Sequence, residues 1–113
     1  MCGFAGFLGA PRDLVDARET LMQMGSAIHH RGPDECGDWM DLSQQIGLVH
    51  RRLSILDLSP AGSQPMVSIS GRYVISYNGE IYNHLQMRDQ LGENDAAWRG
   101  HSDTETLLRA IEI

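Results

Sequence analysis

Aromatic residues, cysteines and positive charge are all scarce in this sequence. Phe, Trp and Tyr make up 6% of its 113 residues, so aliphatic side chains must supply most of any core. Nine basic residues stand against fifteen acidic ones, a formal net charge of −6 with the five histidines neutral. That argues against nucleic acid as the main partner, because phosphate binding needs a basic surface. It leaves room for an anionic ligand held by one local arginine. Two cysteines, Cys2 and Cys36, are too few for a disulfide framework, and no C-x-x-C pair is present to hold a metal or run redox chemistry. A reduced, cytoplasmic setting is the expectation. No stretch approaches the roughly 20 apolar residues of a membrane helix, so no membrane partner is expected. The apolar start, Met1 to Leu8, is short and has no basic residue ahead of it, unlike a signal peptide. The five histidines have no H-x-x-x-H spacing, and no metal site is expected.

What is present suits one globular domain with one core: 42% hydrophobic and 21% charged residues, with no repeat, low-complexity tract or linker. Gly3 to Leu8 reads as a short buried strand ended by Gly9-Ala10-Pro11. Asp13 then caps a helix whose apolar positions Leu14, Ala17, Leu21, Met24 and Ile28 recur at steps of three and four. It stops at His29-His30-Arg31-Gly32-Pro33. Ile46 to His50 and Leu53 to Leu56 predict strand pieces, followed by a polar loop from Asp57 to Pro65. Arg72 to Tyr77 alternates as a strand and runs into Asn78-Gly79. A short helix is expected from Asn83 to Leu91, and a last one opens with Ser102-Asp103-Thr104-Glu105, the pattern of a capping box. The sequence ends inside that helical pattern, at Leu107, Leu108 and Ile111. The apolar face there needs something to pack on, so the expectation is a fragment of a longer chain.

Five places carry candidate chemistry, each with a plain alternative. Removal of the initiator Met would put the Cys2 thiol and an α-amine on one residue. That amine, with a pKa of about 7.7–8.0, can accept the thiol proton, so nucleophile and base come as a pair. Alternatively Cys2 packs as a small apolar residue. Asn78-Gly79 offers a side-chain amide beside a bare backbone N–H, which together can receive a developing oxyanion. The same dipeptide after an alternating run is also a common hairpin turn. Arg52 can grip a carboxylate bidentately, or sit exposed at a strand end. Asp103 can hold an ammonium, or answer the helix dipole as a first-turn acid. Glu80 has the same two readings.

Their order and surroundings narrow the choice. Met1-Cys2-Gly3-x-Ala5-Gly6, His30-Arg31-Gly32-Pro33-Asp34, His50-x-Arg52-Leu53-Ser54-Ile55-x-Asp57, Gln64-Pro65-Met66, Tyr77-Asn78-Gly79-Glu80-Ile81-Tyr82-Asn83 and Ser102-Asp103-Thr104-Glu105 follow one another along the chain. Together they resemble the class II glutamine amidotransferase domain, in its asparagine synthetase branch. The resemblance runs from Cys2 to the last residue. It implies an α+β, N-terminal-nucleophile hydrolase fold with antiparallel sheets packed against helices, incomplete here. It further implies Cys2 as nucleophile and base, Asn78 and Gly79 as oxyanion hole, and Arg52, Leu53, Ser54, Ile55 and Leu56 along the glutamine pocket. Glu80 and Asp103 would hold the substrate's amino end.

The reaction implied passes through a γ-glutamyl thioester to glutamate and ammonia, with no cofactor in this domain. ATP and Mg²⁺ are expected only in a C-terminal synthetase domain that would use the ammonia and is absent here. The strands that follow the last helix in such domains are also absent, which leaves the placement of Asp103 in doubt at this point. Residues 1–113 are therefore expected to be a C-terminally truncated glutaminase domain. The alternative is a fragment that binds glutamine or a partner without turnover.

Overall fold

The computed structural model describes residues 2–9, 11, 13–53, 60–92 and 98–113. Among these residues it is an α+β arrangement of three α-helices and two antiparallel sheets. The larger sheet has β3 (Ile46–Arg52) at its centre, flanked by β1 (Gly3–Leu8) and β2 (Glu35–Asp41). Gly3 pairs with Arg51 and Leu8 with Ile46, while Glu35 pairs with Arg52 and Asp41 with Ile46. This register brings the start of β1, the start of β2 and the end of β3 to one edge.

Helix α1 (Leu14–Ala27) forms where cap and periodicity both call for it. The Asp13 side chain accepts from Asp16 N at 3.0 Å, and Ala17, Leu21 and Gly25 face inward at steps of four. They pack on the β3 face that carries Gly47, Val49 and Arg51. A Cβ on Gly25 would stand 3.1 Å from Val49 Cγ2, and the Gly25 carbonyl accepts from Arg51 Nε at 2.9 Å. Glycine at this point lets the helix come that close to the sheet.

The opposite face of β3 carries Leu48, His50 and Arg52. The segment 60–65 lies over it: a Cβ on Gly37 of β2 would collide with the Gln64 carbonyl oxygen at 2.0 Å. A small hairpin follows, β4 (Met66–Val67) with β5 (Val74–Ile75). Then come α2 (His84–Leu91), closed by Gly92 in the left-handed region, and α3 (Asp103–Glu112). The expected strand over Arg72 to Tyr77 is thus only two residues long, because β4 offers a two-residue partner. Leu53 lies just past β3, and the rest of the expected piece to Leu56 falls outside the described residues. Strand β2 was not expected from the sequence.

Helix α3 corrects the capping-box expectation by half. Ser102 Oγ accepts from Glu105 N at 3.1 Å, but the Glu105 carboxylate does not return to Ser102. It is fully buried and accepts from Arg99 N at 2.7 Å and Gly100 N at 2.9 Å, ordering the approach to the helix. No helix among the described residues is long and apolar enough to cross a membrane.

Candidate active site

A cavity of about 270 Å³ opens between the β3 edge, the 60–65 segment, residues 77–80 and the start of α3. Cys2, Arg52, Leu53, Asn78, Gly79, Glu80 and Asp103 all line it, together with His50, Gln64 and Thr104. Seven of the ten residues singled out from the sequence therefore meet around one space. The other three, Ser54, Ile55 and Leu56, lie outside the described residues.

Cys2 stands directly before β1, level with the end of β3, and both its sulfur and its backbone are engaged. Leu53 N–H donates to Sγ at 3.2 Å, and the thiol faces the Leu53 carbonyl at 3.5 Å. Arg31 Nε donates to the Cys2 carbonyl at 3.1 Å. The Arg31 stem crosses the bare backbone of Gly3, where a Cβ would sit 2.8 Å from Arg31 Cδ. The His30-Arg31-Gly32-Pro33-Asp34 run, a turn after α1, thereby reaches the site through one side chain. Both cysteines are free thiols, and Cys36 is exposed.

Arg52 is 7% exposed, so it is not the exposed strand-end residue of the plain alternative. Its Nη1 meets Glu35 Oε2 at 2.9 Å across the β2–β3 pair. Ser63 Oγ donates to the other Glu35 oxygen. The Ser63 hydrogen bond, then the Arg52 hydrogen bond and charge, hold the Glu35 carboxyl below its usual range against a smaller opposing effect of burial. Glu35 thus fixes the guanidinium at the cavity wall.

His50, two residues before Arg52 on the same face, is 1% exposed, and neither ring nitrogen has a hydrogen-bond partner among the described residues. Burial, seconded by the Arg52 charge, lowers its pKa from 6.5 and keeps the ring neutral near pH 7. The Tyr77 backbone lies near enough to favour the protonated ring, yet outside hydrogen-bond geometry.

Residues 77–81 are held at both ends. Gln64 Oε1 accepts from Tyr77 N at 2.6 Å, and Asp103 Oδ2 accepts from Ile81 N at 2.8 Å. Among the described residues no strand follows β5, so Asn78-Gly79 does not turn a hairpin. Asp103 is buried and well anchored, contrary to the doubt about its placement. Arg88 secures the same region by donating to the carbonyls of Gly100 and Ser102 at 2.8 and 3.0 Å.

A sequence profile of the glutamine amidotransferase domain matches residues 1–113. The chain belongs to this family. Over 110 residues it is 39% identical to glutamine-hydrolysing asparagine synthetase 1 of Bacillus subtilis, covering 96% of this chain and 17% of that protein. Over 108 residues it is 36% identical to glutamine-hydrolysing asparagine synthetase B of Escherichia coli, covering 96% of this chain and 19% of that protein. Over 120 residues it is 34% identical to amidase chry2 of Gibberella zeae, at 96% of this chain and 17% of that protein. The amidotransferase chain thus spans less than a fifth of the length of these relatives.

Sequence reasoning assigned no role to Glu35, His50 and Gln64 in this amidotransferase site. His50 and Gln64 sit inside the motifs that carry the resemblance, and that was their only signal. Glu35 had none, because it reaches the site through the unexpected strand β2.

Proposed function

We propose that this domain hydrolyses the side-chain amide of glutamine and delivers ammonia. The observation that carries the proposal is the shared cavity. It collects a thiol on the second residue, an amide-bearing Asn-Gly pair, a buried arginine and a buried aspartate from four separate segments. Arg52 takes the substrate's α-carboxylate, with Leu53 and the following Ser54, Ile55 and Leu56 along the same wall. Asp103 and Glu80 take the α-ammonium.

With Met1 removed, the Cys2 α-amine accepts the thiol proton. Sulfur attacks the carboxamide carbon, and the carbonyl oxygen gathers negative charge facing the Asn78 amide and Gly79 N–H. Collapse breaks the C–N bond. The proton held by the amine goes to the departing nitrogen, which leaves as ammonia, and a γ-glutamyl thioester stays on Cys2. Water, deprotonated by the same amine, then attacks the thioester carbon and releases glutamate with the free thiol. This chemistry belongs to an N-terminal-nucleophile hydrolase fold, of which the two antiparallel sheets and their helices would be part. In a parent protein a synthetase domain, using ATP and Mg²⁺, would receive the ammonia, in keeping with the names of the relatives.

The test is ammonia release from glutamine, paired with intact mass to locate the first residue. A chain beginning at Cys2 should turn over, and Cys2→Ala should abolish turnover while glutamine still binds. Asn78→Ala should lower kcat by about 10²–10³-fold. Glutamine binding without ammonia release in the chain that starts at Cys2 would replace this reading with a non-catalytic binding module.

A further inference from the structure

The Gln64 side chain is buried, and both ends of its amide are bonded. Its Oε1 accepts from Tyr77 N at 2.6 Å and its Nε2 donates to Thr104 Oγ1 at 3.1 Å. The orientation of the amide follows from chemistry: Tyr77 N–H can only donate, so the oxygen must lie against it and the NH₂ against the threonine. One side chain therefore joins three segments that are far apart in sequence. These are the 60–65 segment over β2, the peptide leading to Asn78 and Gly79, and the first turn of α3.

Asp103 completes the frame. It neighbours Thr104 in the first turn of α3, and its Oδ2 accepts from Ile81 N at 2.8 Å. Residues 77–81 thus hang from that turn at two points, through Gln64 and Thr104 at the Tyr77 end and through Asp103 at the Ile81 end. Gly79 lies between them, with the Tyr77 ring folded so close that a Cβ would come within 2.6 Å of the phenol oxygen. Asn78 and Gly79 cannot shift without moving one of the two anchored N–H groups.

We propose that Gln64 is a positioning residue: it fixes the distance between the Asn78-Gly79 donors and the aspartate at the head of α3. This rests on the function proposed above, in which the two groups face opposite ends of one glutamine. A rigid separation matters because a displacement of about 1 Å at a reacting group can cost about 10²-fold in rate.

The experiment measures kcat and KM for ammonia release from glutamine, per chain whose Cys2 is labelled by a glutamine-like electrophile, so that misfolded protein does not count. Gln64→Met keeps the length and removes both bonds. It should lower kcat by about 10- to 10²-fold, a loss carried by the anion-receiving end. Gln64→Glu keeps an acceptor for Tyr77 N and can accept from the Thr104 hydroxyl, so it should recover most of that kcat. Thr104→Val leaves the Tyr77 bond but unbraces the amide, and should give a smaller loss of the same sign. Unchanged kcat in Gln64→Met overturns the proposal, and so does unchanged kcat in Thr104→Val if the methionine variant fails to fold. Equal loss in Gln64→Met and Gln64→Glu also overturns it. Absence of turnover in the unaltered chain sinks the proposed function and this inference together. Turnover in that chain beside a fully active Gln64→Met sinks this inference alone.

Discussion

Two regions support the cavity from different sides, one behind the sheet and one at its wall, and they are built from opposite materials. On the α1 side, Ala17, Leu21 and Val49 meet with 1% exposure or less. On the α3 side, five consecutive polar residues, Ser102 to Thr106, are buried. There the fully buried Glu105 accepts from two backbone N–H groups, with Arg88 and Arg99 nitrogens at 3.8 and 3.7 Å. The Arg88 guanidinium lies 4.1 Å from the Trp98 ring centroid. Apolar packing fills space but tolerates small slips, because its contacts have no direction. Hydrogen bonds to a buried carboxylate do not. The groups proposed to grip the ligand's amino end, and the suspended 77–81 segment, are attached to the directional side. Cys2 and Arg52 belong to the sheet that rests on the apolar side.

The contrast can be broken most severely at Glu105. Glu105→Ala strips a buried carboxylate from two peptide N–H groups and two guanidinium groups, and should destabilise the chain by about 3–5 kcal/mol in chemical denaturation. Leu21→Ala on the apolar side should cost about 2–5 kcal/mol, depending on how far the site collapses. The two variants separate in function. Folded Leu21→Ala should keep glutamine affinity, whereas Glu105→Ala should lose it, since α3 carries Asp103. Equal affinities in both variants would erase the distinction between the regions.

A pH series sharpens the same contrast at smaller amplitude. His50 has a folded-state pKa below its ordinary 6.5, so between the two values the unfolded chain binds more protons. Its contribution is therefore complete above pH 6.5 and declines as pH falls toward the folded value. Glu35 is lowered from 4.5, so its contribution is present above that pH and is lost as pH falls through its folded value. Arg52 faces both groups. Thermal melts from pH 7.5 to 5 should thus show falling stability with acid, and His50→Phe should flatten the part between 6.5 and 5. A slope that survives this replacement would rule out His50 as its source. The smallest expected effect is Ser102→Ala, about 1 kcal/mol for a lost cap.

The legible parts of the fold were those set by neighbours in sequence. Asp13 and the 14-17-21-24-28 spacing act within one helix, so α1 emerged nearly residue for residue. Strand β2 did not, because Cys36, Gly37, Asp38 and Met40 carry no alternating or β-branched pattern; pairing with β3 makes it a strand. Ser102 and Glu105 had the right spacing for a reciprocal cap, but tertiary contacts with Arg99 and Gly100 claimed the carboxylate. In the site, residues with obvious chemistry were visible because their functional groups announce themselves. The supporting pair, Glu35 behind Arg52 and Gln64 behind Tyr77, depends on contacts 17 and 13 positions apart that no local pattern encodes.

The path of Arg31 over Gly3 makes a residue with no functional group decisive for its neighbour. Any side chain at the third position must push the arginine stem aside, and that stem carries the guanidinium holding the Cys2 carbonyl. A single added methyl would therefore disturb that hydrogen bond from one residue away while touching neither sulfur nor amine. Such a variant would look, to any assay of the reactive groups themselves, chemically intact.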